Sequence, residues 1–290
     1  MYHDAFTGAD VKIVGPSTSS QPSLTNAWWS KWADHVKTSG NVSNPVPRRK
    51  HCFADSSSKI PDWWSCHQLN GRGSANCGND PVATNTQLSQ VLQKYSLPSR
   101  PFQINEYAAS DEQTPAYTAW FLERFERSGI VGLRANWGSN VGLHNDLAKL
   151  IGPGGSDKSS NFYKLGDWHV LNYYTKAQKG VITSAGATVS TCYDLYVTQE
   201  RSAGITHILA GTRGQTGPYP ITLSNVDSMP AYKSRATLRA VIKEIPHNNG
   251  GRVDAPVLVS NSTITVQGNA ATINLSMNLD SAYTIDVYAS

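Results

Sequence analysis

One carboxylate in this sequence is placed where enzymes commonly present reactive groups. In Pro101–Ala109, apolar and polar residues alternate up to Ile104 and Asn105, and Glu106 and Tyr107 follow. Alternation of this kind indicates a β-strand, and α/β enzymes present catalytic groups at the carboxyl ends of strands. Glu106 is therefore a candidate catalytic carboxylate. The alternative is an ordinary strand that ends in a solvated glutamate.

Polar or aromatic residues also end the other strands that the pattern predicts. They are Ser17, His67, Asn136 and Trp137, and such groups suit a sugar or another polyol. His67 is interpreted as a hydrogen-bonding group for a sugar hydroxyl or for Glu106, or else as a buried structural histidine. Trp137 offers an apolar floor for a sugar ring or simply packs in the core, and Asn136 is a weaker candidate. No glycine-rich phosphate loop follows a strand, which disfavours a nucleotide site.

The elements that would position these residues alternate between strand and helix. The pattern predicts strands at about 11–17, 62–69, 102–107 and 130–137, and helices at about 23–38, 84–95, 114–128 and 168–177, the first strand being stopped by Gly15-Pro16. Four strand–helix repeats indicate parallel βαβ units. The order alone leaves open an open sheet or part of a (β/α)₈ barrel.

From about Gly180 the pattern changes to short alternating runs separated by Gly, Asn, Asp and Pro. This is typical of an antiparallel β-sandwich. The predicted fold class is therefore α/β plus all-β, with one domain over 1–180 and a second over 181–290.

Two predictions concern the helices. The first helix is expected to bury one apolar face that includes Leu24, Trp28, Trp32 and His35/Val36. Acidic residues around the third helix are expected to be solvated: Asp111, Glu112, Glu123 and Glu126.

Composition narrows the possible partners. Charged residues make up 16% of 290 residues, below the typical quarter, so Ser, Thr, Asn and Gly must supply much of the surface. The net charge of +4 is dispersed without a basic stripe, which argues against nucleic acid. No apolar run is long enough for a membrane span, and no residues have metal-ligand spacing.

The cysteines and sequons suit an extracellular protein. Asn41, Asn261 and Asn274 begin Asn-X-Ser/Thr sequons, which occur in secreted proteins but also arise by chance. No signal peptide is evident at the first residues. Three of the four cysteines, Cys52, Cys66, Cys77 and Cys192, crowd into 26 residues. One disulfide among these three is expected in an oxidising compartment, with its pairing left open; four buried free thiols are the alternative.

Four motifs in order resemble the fifth to eighth strands of clan A glycoside hydrolases, with family 39-type enzymes as the nearest likeness. They are Val14-Gly-Pro, Asp62-Trp-Trp-Ser-Cys-His, Ile104-Asn-Glu-Tyr and Leu133-Arg-Ala-Asn-Trp. The resemblance spans nearly the whole chain, because family 39-type enzymes also carry a β-sandwich. It implies the C-terminal half of a (β/α)₈ TIM barrel, followed by the sandwich.

The resemblance implies a retaining O-glycosyl hydrolase that acts on an oligosaccharide or polysaccharide without a cofactor. Glu106 matches the nucleophile at the end of the seventh strand, and Asn105 and Tyr107 would orient its carboxylate or keep it ionised. The family's acid/base is a glutamate in an Asn-Glu pair that ends the fourth strand. No Asn-Glu precedes Val11, so this partner is expected to be absent from the chain.

The first four βα units of the barrel are expected to be absent from this chain. Three explanations are then possible: a truncated product, one half of a split or dimerised barrel, or a degenerate protein. Open barrel edges would favour self-association. The contrasting hypothesis is a non-catalytic carbohydrate-binding or scaffold protein whose working part is the sandwich, with tyrosines scattered over it rather than aligned.

Overall fold

A computed structural model describes residues 12–40, 60–69, 71, 77–135, 147–153, 161–183 and 191–290. The predicted substrate-binding residues Asn136 and Trp137 and the candidate disulfide cysteine Cys52 lie outside these ranges. Within them, no helix is both long and apolar enough to cross a membrane.

The described residues form four α-helices and fourteen strands, with short 3₁₀ turns between some of them. The helices are α1 (Ala27–Gly40), α2 (Pro81–Tyr95), α3 (Pro115–Ser128) and α4 (Gly166–Lys176). The first seven strands are β1 (Val14–Thr18), β2 (Trp63–Gln68), β3 (Phe102–Tyr107), β4 (Val131–Arg134), β5 (Ile151–Gly152), β6 (Tyr163–Lys164) and β7 (Val181–Thr183). The remainder are β8 (Tyr193–Glu200), β9 (Ile205–Thr212), β10 (Gly217–Ser224), β11 (Thr237–Ile245), β12 (Val257–Gln267), β13 (Ala270–Met277) and β14 (Ala282–Ala289).

The first four strands form one sheet in the order β1-β2-β3-β4. The pairs β1–β2 and β2–β3 are parallel, and α1, α2 and α3 connect successive strands, as the strand–helix repeats predict. Contrary to the prediction, β1 continues through Gly15-Pro16 to Thr18.

Eight later strands form a single antiparallel sheet in the order β10-β13-β12-β11-β14-β9-β8-β7. Leu195 of β8 and Ile221 of β10, which stand far apart in this order, share one hydrophobic core. The sheet must therefore curl so that its ends face a common interior. The antiparallel strands predicted after Gly180 are present; the finer layout, a partial barrel followed by a sandwich, stays a prediction.

The chain divides into two compact units. The first unit contains the described residues of Met1–Leu69, Asn79–Tyr107 and Arg127–Leu133. The second contains those of Asn70–Gly78, Ala108–Glu126 and Arg134–Ser290. The domains predicted at 1–180 and 181–290 remain a prediction.

The buried face of α1 is the predicted one only in part. Val36 is buried as predicted, but it shares the buried face with Trp29 and Ala33, at the i, i+4 and i+7 spacing of one helix face. Leu24 and Trp28 are instead 40% and 48% exposed. Asn26 caps the helix, since its Oδ1 accepts from the Trp28 backbone N–H at 3.0 Å.

The second unit contains a buried group of charges beside its disulfide, here called the Arg213 cluster and made up of Arg213, Glu112, Trp120 and the Cys77–Cys192 disulfide. Arg213 Nη2 lies 2.6 Å from Glu112 Oε1, and its guanidinium stacks over Trp120 at 4.9 Å. The Arg213 backbone N–H donates to Cys192 O at 2.7 Å. The prediction that Glu112 is solvated was therefore wrong, and so was the same prediction for Glu123, which is also buried.

The disulfide also differs from the expected one. Cys77 bonds to Cys192, 115 residues away, rather than to a cysteine in its own crowded segment. Cys66 is a buried free thiol in β2, and burial raises its pKa to about 12. Crowding in sequence was therefore a poor guide to pairing, because the curled sheet brings a distant cysteine to Cys77.

A second group, the His207 cluster, joins α4 to the curled sheet and contains His207, Asp286, Glu200 and Tyr173. His207 Nδ1 lies 2.7 Å from Asp286 Oδ1, and its Nε2 lies 3.5 Å from Glu200 Oε2. Tyr173 donates to the same Asp286 oxygen at 2.8 Å. Burial lowers the pKa of His207, but the hydrogen bonds and charges of Asp286 and Glu200 outweigh burial and raise it above 6.5.

Candidate active site

The structure brings His67 and Glu106 together at the carboxyl ends of two neighbouring strands. In the parallel β2–β3 pair, His67 lies directly opposite Glu106. The distance from His67 Nδ1 to Glu106 Oε2 is 3.1 Å. Both side chains are partly exposed, at 21% for His67 and 33% for Glu106, so the pair is accessible to a ligand.

A β-bulge produces this pairing. Cys66 lies opposite Ile104, and the next pair is His67 with Glu106, so Asn105 is one extra residue on β3. A bulge of this kind redirects the side chains that follow it. Without the extra residue, His67 would face Asn105 and the carboxylate would lie one position further along.

The apolar residues of the two strands explain which face the pair occupies. Trp64 of β2 is fully buried and meets Trp32 of α1 edge-to-face, with ring centroids 5.5 Å apart. Ser65 and His67 alternate with Trp64 and therefore lie on the opposite face of the sheet. Glu106, paired with His67, shares that face.

Two serines continue the same face at the end of β1. Ser65 is fully buried, and its Oγ lies 2.7 Å from Ser17 Oγ and accepts from the Ser17 backbone N–H at 3.0 Å. Ser17 sits at an irregularity in the β1–β2 register. The sequence had indicated Ser17 as a polar residue at a strand end, but not Ser65. Ser65 could have been predicted from its position two residues before His67, because strand residues at this spacing share one face.

Polar oxygens without partners collect around the glutamate. Asn105 Oδ1 and Glu106 Oε2 are buried and, among the described residues, make no hydrogen bond. The 3.1 Å contact with His67 is thus an ion-pair distance rather than an aligned hydrogen bond. Buried polar atoms without partners are costly, so these two oxygens are unusual features of the end of β3.

The other predicted site residues have different placements. Tyr107 lies opposite Gln68 in the register, on the face away from Glu106, and is only 4% exposed. Its predicted role at the carboxylate stays a prediction, as do those of Asn136 and Trp137, which lie outside the described residues. Throughout the described ranges, no three His, Cys, Asp or Glu side chains could hold a metal ion.

The geometry is suited to nucleophilic chemistry. A carboxylate at a strand end can attack an electrophilic carbon and form a covalent intermediate. A neighbouring imidazole can hold such a carboxylate in position. Among the described residues, His67 is an ionisable group in contact with Glu106.

Comparison with solved structures identifies the class of fold. N2152 from Neocallimastix frontalis is similar over 100% of this chain and 64% of its own, with a TM-score of 0.74 and 18% identity. A glucosidase from Croceicoccus marinus is similar over 97% and 60% of the two chains, with a TM-score of 0.55 and 12% identity. A family 39 glycoside hydrolase from Xanthomonas axonopodis pv. citri is similar over 100% of this chain and 64% of its own, with a TM-score of 0.53 and 11% identity.

These likenesses define a glycosidase-like fold rather than one family. Glycoside hydrolases of families 39 and 51 are both among the neighbours, and the identities are too low to choose between them. The chain spans less than two thirds of the length of the three structures compared above. No protein-family model matches the sequence, and no curated protein does.

Proposed function

We propose that this chain is glycosidase-like and belongs to a retaining glycoside hydrolase in which Glu106 is the nucleophile. The observation that carries the proposal is the Glu106 carboxylate, held beside His67 at the carboxyl ends of paired parallel strands, in a chain with a glycosidase-like fold. The substrate would be an oligosaccharide or polysaccharide. The cystine is consistent with an extracellular enzyme.

The chemistry follows from the carboxylate. One Glu106 oxygen would bond to the anomeric carbon, the glycosidic bond would break, and the leaving oxygen would take the electron pair and a proton. Water would then hydrolyse the glycosyl-enzyme. His67 would hold the carboxylate in position, while Asn105, Asn136 and Trp137 are proposed substrate contacts.

Retaining hydrolysis requires a second carboxyl group about 5–5.5 Å from the first. The chain spans less than two thirds of the length of the glycoside hydrolase structures compared with it, and we propose that polypeptide outside the described residues supplies this group. In the domain arrangement proposed here, 1–180 is half of a barrel and 181–290 is a β-sandwich.

Covalent trapping tests the nucleophile independently of the acid/base. We suggest dinitrophenyl 2-deoxy-2-fluoro glycosides of glucose, xylose and arabinose as probes. Dinitrophenolate leaves without protonation, and the fluorine slows breakdown of the glycosyl-enzyme because it destabilises the positively charged transition state. The expected result is the mass of one fluorosugar added to the peptide that contains Glu106.

Two isosteric variants complete the test. Glu106→Gln should abolish labelling, whereas Glu126→Gln, at an exposed position on α3, should label like the unmodified chain. Labelling of another residue, or undiminished labelling of Glu106→Gln, would refute the assignment.

The alternative is a protein that binds carbohydrate without cleaving it, because no residue of this chain is assigned to the acid/base role. In that case calorimetry would detect sugar binding, while no probe of the series would label the chain. The two proposals therefore give opposite results in the same experiment.

A further inference from the structure

Strand β12 is exposed along most of its length. Eight of its eleven residues are exposed, including the consecutive Val257, Leu258 and Val259 at 56%, 58% and 53%. Isolated exposed apolar residues are common, but here three consecutive residues leave apolar side chains exposed at one end of the strand.

The same strand has an open edge. It pairs with β11 from Val257 to Thr265, but with β13 only at Val266 and Gln267. Among the described residues, the segment from Val257 to Thr265 therefore has a strand neighbour on one side only. Its free backbone groups can pair with another chain.

β12 lacks two of the usual protections for such an edge. Natural edge strands are guarded by charged side chains, especially lysine, by proline or by β-bulges. Val257–Gln267 contains no charged residue and no proline, and its one bulge lies at Val259. The bulge leaves the stretch from Ser260 to Thr265 without such protection.

The sequon Asn261-Ser-Thr lies in the middle of this open segment. Asn261 is exposed, and its Oδ1 accepts from Arg239 Nε at 2.8 Å. A guanidinium has no acceptor, so the oxygen must be the atom that faces Arg239. Nδ2, the atom that carries a glycan, makes no hydrogen bond to the described residues and is left for modification.

The other two sequons do not share this setting. Asn41 lies outside the described residues. Asn274 is in β13, opposite Pro220 of β10, and it too lies beyond the short β12–β13 pairing. Its exposed neighbours in β13 are the polar Thr272 and Ser276, so a glycan at Asn274 would cover no exposed apolar residue.

We propose that Asn261 is an N-glycosylation site whose glycan shields the β12 edge from a second copy of this chain. Nδ2 would displace the diphosphate leaving group from the first sugar of a lipid-linked oligosaccharide; the C1–N bond forms, the C1–O bond breaks and the amide loses a proton. At about 3.3 Å per strand residue, Val257–Val259 lie within roughly 7–13 Å of the attachment point, inside the reach of the first sugars. The proposal goes beyond glycoside hydrolysis and does not depend on Glu106.

The test uses the full chain secreted from a eukaryotic host. Peptide N-glycosidase in ¹⁸O-water marks occupied sites by converting Asn to labelled Asp, and mass spectrometry should find the label at Asn261. An unmodified Asn261 in the secreted protein would overturn the proposal.

Shielding is tested by light scattering over a concentration series. Asn261→Gln, Thr263→Ala and wild-type protein deglycosylated after folding should all shift from monomer to dimer or larger species. Adding Val259→Lys to Asn261→Gln should restore the monomer, because a lysine protects the edge in place of the glycan. Asn274→Gln is the matched control and should stay monomeric. If the deglycosylated wild type remains as monomeric as the glycosylated protein, the shielding role is overturned.

Discussion

The sharpest stability prediction concerns the ion pair between Arg213 and Glu112. Their side chains are 3% and 0% exposed, and their charged atoms are 2.6 Å apart. Removing one partner of such a pair leaves the other charge buried and uncompensated, which costs about 3–5 kcal/mol. Arg213→Ala should therefore lower the free energy of unfolding by this amount and the Tm by about 10 °C.

The chain offers a matched control. Arg252 also pairs with an acid, Asp254, but the two side chains are 69% and 75% exposed. Exposed pairs contribute less than about 1 kcal/mol, so Arg252→Ala should change stability little. Both variants are compared by denaturant unfolding followed by tryptophan fluorescence.

The deficit of Arg213→Ala should also depend on pH. Burial raises the pKa of Glu112, and the charge of Arg213 opposes the rise; without Arg213 the folded-state pKa rises further. A group whose pKa is raised by folding stabilises the protein below its unfolded pKa and loses that contribution as the pH rises. The deficit should therefore be larger at pH 7 than at pH 5. Equal stability of Arg213→Ala and Arg252→Ala at pH 7 would refute the reasoning.

Three further predictions concern the second unit. Replacing both Cys77 and Cys192 by alanine removes a disulfide between residues 115 apart and should lower the free energy of unfolding by about 2–5 kcal/mol. Chemical denaturation measures this change, and an unchanged midpoint would contradict the prediction. Folding raises the pKa of His207 above 6.5. The stability that the protonated His207 contributes is therefore present below pH 6.5 and is lost as the pH rises through the pKa of the folded state. His207→Asn should consequently reduce the fall in Tm between pH 6 and 8. Gly211→Ala should lower the free energy of unfolding by about 1–3 kcal/mol or more, because the added Cβ would lie 2.3 Å from the Trp120 backbone nitrogen. A variant with the same Tm as the wild type would refute this steric argument.

Local pattern was enough to predict the elements and the candidate nucleophile. Alternation in β3 and helical spacing in α2 depend on neighbours a few residues apart, and those relations survive in the fold. The placement of Glu106 at a strand end followed from the same local signal, as did its proximity to His67, since successive parallel strands end at one edge of a sheet.

Features that depend on distant partners could not be read in the same way. Glu112 looks like an ordinary solvated acid in the sequence, yet it is fully buried because Arg213, 101 residues later, meets it. Which face of α1 is buried was also decided by packing. Trp28 and Trp29 are equally apolar, and only the position of the sheet determines which of them it covers.

The sequence by itself therefore determined the order of strands and helices and the carboxylate on which the proposed chemistry rests. Tertiary structure alone decided the bulge at Asn105 that aligns His67 with Glu106, the pairing of Cys77 with Cys192, and the open edge of β12. The physical reason is the same in each case. Register, disulfide pairing and strand neighbours are relations between segments far apart in the chain, and they are fixed by the packing of the whole sheet rather than by any one segment.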